Sequence, residues 1–85
     1  MPYITQDARQ KFDAPLEHAG RQIYEKGELT YCIYKLGVEV LKDMDVSYTN
    51  LSMIKASMND AADEWFTRKM SPYEKKKRKE NGDVE

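Results

Sequence analysis

The chain is poor in almost every residue that marks a chemical site: of 85 residues, one is cysteine, one histidine and one tryptophan. The single Cys32 excludes an intramolecular disulfide and any zinc centre built from several thiolates. The single His18 excludes a histidine-rich metal site. No apolar run approaches the roughly 20 residues needed to cross a bilayer. The opening MPYITQDARQ lacks the charged-then-apolar pattern of a secretory signal. A net charge of −1 supplies no global field to draw in nucleic acid or acidic lipid. These absences lead us to expect a soluble protein of the cytoplasm, with no membrane association, no cofactor and no bound metal.

Strand signals are scarce too, with no sustained period-2 alternation and no hairpin turn between apolar runs. What is present is helical spacing. With neither repeats nor a flexible linker, residues 1–85 read as one all-α domain of three to four helices. Such a chain buries only about 60% of the surface it exposes when unfolded, and small domains often gain stability from a second subunit.

Residues 1–4 read as extended, and Asp7 is placed to open a short turn through Phe12. The pattern predicts a first main helix over 14–25, with Pro15 in its first turn and Gly27 just past its end. The second, over 28–42, carries Leu29, Cys32, Ile33, Leu36 and Val40 as one apolar stripe and Tyr31, Tyr34, Val38 and Leu41 as another. A helix apolar on two sides is buried on two sides. The tyrosine-bearing stripe is therefore expected to meet another subunit, and Gly37 to allow a close neighbour. A loop over 43–49 precedes a third helix over 50–70, capped by Ser47 or Thr49. Leu51, Ile54, Met58, Ala61, Ala62 and Trp65 should form its core face. Ser71-Pro72-Tyr73-Glu74 has the form of a capping box, predicted to stop that helix and start a short fourth one over 72–79. Asn81-Gly82-Asp83 closes the chain with turn chemistry, so 72–85 is a basic helix and tail.

Charge is local. Between 68 and 79 lie seven basic residues and the single acid Glu74. Phosphates call for converging Lys and Arg donors, and a base calls for an aromatic face worth ~1–3 kcal/mol per stacked base. Arg68, Lys69, Tyr73, Lys75, Lys76 and Arg78 meet that description, with Tyr3 from the other end of the chain. The rival account is a solvated tail balanced by Glu80, Asp83 and Glu85. Asn59, Asp60, Asp63 and Glu64 have the spacing that all-helical nucleotide pyrophosphohydrolases use for Mg²⁺. Such a site needs a second acidic helix, and only Glu39 and Asp43 are at hand. Salt-bridged helix surface explains these acids better. Cys32 reads as a small buried hydrophobe. His18 is equally a surface residue or a helper at a ligand pocket. The acidic middle of the third helix argues against a helix-turn-helix and specific DNA binding.

Several blocks together resemble a family of small helical proteins of unknown domain function, common in tailed phages and metagenomes. They are Pro2-Tyr3-Ile4, Gly27-Glu28-Leu29-Thr30-Tyr31, Ser47-Tyr48-Thr49-Asn50, Glu64-Trp65-Phe66-Thr67-Arg68, Pro72-Tyr73-Glu74 and Glu80-Asn81-Gly82-Asp83-Val84. The polar stretch 55–63 and Trp65 depart from the pattern of that family. Phage proteins of this size and oligomeric habit include anti-CBASS sponges, which hold the cyclic nucleotide signals of bacterial defence without cleaving them. The resemblance implies a homo-oligomer, dimer or tetramer, that is no enzyme and evades host immunity by sequestering a cyclic di- or trinucleotide such as a cyclic GMP-AMP. An inhibitor of a host protein, acting through protein–protein contact, is the alternative. A Mg²⁺-dependent nucleotide hydrolase is a third.

Overall fold

A computed structural model describes residues 3–84. Every regular element among them is helical: α1 (Gln6–Arg21), α2 (Lys26–Leu41), α3 (Tyr48–Trp65), a π-helical turn (Phe66–Met70) and α4 (Ser71–Asn81). The protein is all-α. Contacts divide it into two compact units, Met1–Leu36 and Gly37–Glu85, with the boundary inside α2.

In the first unit, α1 starts earlier than the spacing predicts, because Thr5 Oγ1 accepts from the Ala8 N–H at 3.2 Å and caps it. The short turn and first main helix expected separately are thus one helix, with Pro15 in its interior. Proline there leaves the Lys11 carbonyl without its usual partner. The helix ends at Arg21, where the Gln22 and Ile23 N–H groups return to the Ala19 and Gly20 carbonyls.

The next helix also starts early. Glu28 Oε1 accepts from the Tyr24 and Glu25 N–H groups at 2.8 and 3.0 Å, the reach-back half of a capping box. Gly27 therefore lies in the first turn of α2 rather than beyond the end of α1.

In the second unit the end of α2 meets α3. A methyl added at Gly37 would lie 2.8 Å from Met58 Cε and 3.1 Å from Ile54 Cγ2, so side chains of α3, rather than its backbone, occupy the space beside the glycine. Gly37, Val38, Leu41, Met44, Ile54 and Met58 are half-buried. The connecting loop is held by the Met44 N–H on the Leu41 carbonyl and by Asn50 Nδ2 on the Asp45 carbonyl. Ser47 Oγ then caps α3 through the Asn50 N–H at 3.1 Å.

Proline does not stop this helix. Residues 48–81 stay helical, and the turn before Pro72 widens so that the Ser71 N–H reaches the Phe66 carbonyl five residues back. An α-helical Pro72 would press its ring on the Arg68 carbonyl and offer it no hydrogen; the wider turn relieves both. Gly82, at φ 84°, ends α4.

No described side chain is fully buried. Leu51 and Trp65, expected to face a core, are exposed. The stripes of α2 also divide differently from the expectation. Val38 and Leu41 are half-buried while Tyr31 and Tyr34 of the same side are exposed, and on the other stripe Leu29, Ile33, Leu36 and Val40 are exposed while Cys32 is half-buried.

Candidate functional site

The basic residues lie on the π-helical turn and α4, in the second unit. Arg68 and Lys69 belong to the turn, and Tyr73, Lys75, Lys76 and Arg78 to α4. Tyr3 belongs to the first unit and precedes α1.

Some of these cations are already engaged. Arg68 Nε donates to Glu64 Oε2 at 2.7 Å. Glu80 receives Lys77 at 3.3 Å and Lys76 at 4.0 Å. Lys77 also stands 5.6 Å from the centre of the Tyr73 ring. Exposed pairs of this kind are worth about 0.3–0.5 kcal/mol each, so a phosphate can displace them. Lys69, Lys75, Arg78 and Lys79 carry no ion pair among the described residues.

Helical phase then separates the set. At about 100° per residue, Lys75, Arg78 and Lys79 share one face of α4 at i, i+3 and i+4, while Tyr73, Lys76, Lys77 and Glu80 share the opposite one. Lys75, Arg78 and Lys79 therefore point away from the aromatic ring expected to work with them, whereas Lys69, four residues before Tyr73, does not share their face. A run of five basic residues conceals this, because the eye reads sequence neighbours as spatial ones.

The acids of α3 do not converge either. Glu64 is engaged with Arg68, and among the described residues no group of three or more His, Cys, Asp and Glu is placed to hold a metal ion.

A groove of about 630 Å³ opens within the first unit, where the last turn of α1 faces the first turns of α2. His18, Gln22, Ile23, Glu28, Tyr31 and Cys32 contribute to its walls. Gln22 Nε2 contacts His18 Nε2 at 2.8 Å, which for a neutral ring places the proton on Nδ1. Cys32 is half-buried there, short of the full burial expected for it. The sequence left His18 open between surface and pocket, and the fold puts it on the wall of this groove.

A family model matches residues 1–84, nearly the whole chain. The chain belongs to that family, described as Domain of unknown function (DUF6899). No curated protein and no solved structure matches it. Membership in DUF6899 agrees with the resemblance to a small helical family of unknown domain function. In this DUF6899 chain, no helix among the described residues is long and apolar enough to cross a membrane.

Proposed function

We propose that the chain is a non-catalytic binding protein of phage origin. In this reading it works as a homo-oligomer in the host cytoplasm and sequesters a cyclic oligonucleotide defence signal such as a cyclic GMP-AMP. The observation that carries the reading is the face of α4 bearing Lys75, Arg78 and Lys79, three exposed cations at helical spacing with no acid paired to them among the described residues. Lys69, one turn before Tyr73, adds a cation on the Tyr73 side. Phosphodiester groups are the ligand chemistry that such a face suits.

The opposed placement of Tyr73 sharpens the reading. One protomer cannot offer a ligand the Lys75–Arg78 face and the Tyr73 face of α4 together. A site using both draws its cations from one copy and its stacking ring from another, which requires an oligomer. Arg68 and Lys76 join by exchanging their carboxylates for phosphate.

Titration calorimetry of the purified protein against a panel of cyclic di- and trinucleotides tests this. Micromolar or tighter binding is expected, with no product formed. A double Lys75→Glu, Arg78→Glu variant should lose at least ten-fold in affinity, and Tyr73→Ala a comparable amount. Absence of binding across the panel, or turnover of any member, ends the proposal.

A second reading has its own support: no described side chain is fully buried, as befits a surface completed by another protein. A module that inhibits a host protein would co-purify with one stoichiometric partner and give no heat with any nucleotide.

A further inference from the structure

Trp65 is 62% exposed and Tyr73 60% exposed, on the continuous helix of the second unit. In an uninterrupted α-helix, residues 65 and 73 would face directions about 80° apart, at about 100° per residue. The widened turn lies between them. Because the Ser71 N–H reaches the Phe66 carbonyl, one extra residue is taken up there without advancing the phase. Trp65 and Tyr73 then stand as residues one fewer apart do in an α-helix, within about 20° of one line.

Cations fill the intervals. Lys69 lies one turn from each ring and carries no ion pair among the described residues. Lys77 lies one turn beyond Tyr73, 5.6 Å from the centre of its ring. The face thus alternates ring, cation, ring, cation: Trp65, Lys69, Tyr73, Lys77. Glu80 receives Lys77 at 3.3 Å, an exposed pair that a phosphate displaces at little cost. Glu64, beside Trp65 in sequence, lies a quarter-turn away and receives Arg68 at 2.7 Å.

Spacing selects the ligand. The two rings are about 11 Å apart along the axis, at about 1.5 Å per residue. Stacked bases of one strand rise about 3.4 Å per step, so the rings address bases about three steps apart, or fewer where the strand is stretched. Lysines between the rings meet the intervening phosphates. Every base has a π-face, so stacking of this kind tolerates any sequence. A duplex keeps its bases paired inside and offers the rings nothing to stack on.

We infer that the Trp65–Lys69–Tyr73–Lys77 face binds single-stranded nucleic acid without regard to sequence, bases on the rings and phosphates on the lysines. The inference does not rest on the cyclic-nucleotide reading. It needs one protomer only and leaves the Lys75–Arg78 face aside. No base edge is read, which agrees with the argument against specific DNA binding.

Trp65 is the only tryptophan, so its fluorescence reports on this face alone. At low salt, an oligothymidylate of about twelve residues should quench it saturably, as should an oligouridylate, and a duplex should not. The affinity should fall with salt at a log–log slope of about −1.4, from two lysine contacts at about −0.7 each. By anisotropy of a labelled oligothymidylate, Trp65→Ala and Tyr73→Ala should each weaken binding roughly ten-fold, while Trp65→Phe keeps most of it. Pro72→Ala keeps both rings but lets the turn relax, rotating one ring from the other. It should bind as weakly as the single-ring variants, and as the stabler protein it cannot owe that loss to unfolding. No quench by either strand, equal affinity for duplex, or wild-type binding by Pro72→Ala overturns the inference. A quench given by cyclic nucleotides alone overturns it too, while supporting the proposed function. A quench by oligonucleotide with no heat from any cyclic nucleotide supports it and ends that other reading.

Discussion

Gly37 and Gly20 are both helical glycines, but a methyl would meet different surroundings at each. Nothing lies within 4 Å of a methyl added at Gly20, so Gly20→Ala should gain the usual helix-propensity difference, about 0.5–1 kcal/mol, in urea unfolding. At Gly37 the same methyl meets Met58 Cε, a flexible end that can swing away, and Ile54 Cγ2, a branched group that cannot. Gly37→Leu should therefore destabilise by about 1–3 kcal/mol through overpacking, despite leucine's better propensity. Ser47→Ala removes the oxygen that caps α3 and should cost about 1 kcal/mol in the same measurement. The cap at Ser47 was visible in the sequence. The cap at Thr5 and the reach-back of Glu28 were not, since several residues near each helix start could have done the same work.

The continuity of α3, the π-helical turn and α4 turns on Pro72. A capping box reads as the start of a new helix when the residues before it are free to leave the helical path. Here the Ser71 backbone stays helical, at φ −60° and ψ −46°, and the chain adjusts by one extra residue in the preceding turn. That extra residue rotates α4 by about a quarter-turn against α3 and so sets which direction Lys75 and Arg78 face. Pro72→Ala should let the turn relax to α-helix and raise stability by about 1–3 kcal/mol, read as a higher midpoint of thermal unfolding. If the orientation of α4 matters for an anionic ligand, the same variant should bind it more weakly in calorimetry although it is the more stable protein. Unchanged affinity would show that the phase of α4 is not used.

Among the described residues no side chain is fully buried, so neither unit has within itself the interior that ordinarily holds a small domain together. Folding that depends on a second copy makes stability a function of concentration. The thermal midpoint should rise measurably between about 1 and 100 μM protein, and an invariant midpoint would contradict self-association. By itself the sequence determined the fold class, the approximate helices and the apolar positions of α2, because propensity and 3.6-residue spacing act over a few neighbouring residues. Only the tertiary structure decided that Gly37 faces α3 while Leu29, Ile33, Leu36 and Val40 stay exposed. Periodicity names the faces of a helix, but which neighbour covers each face depends on residues far away in the chain.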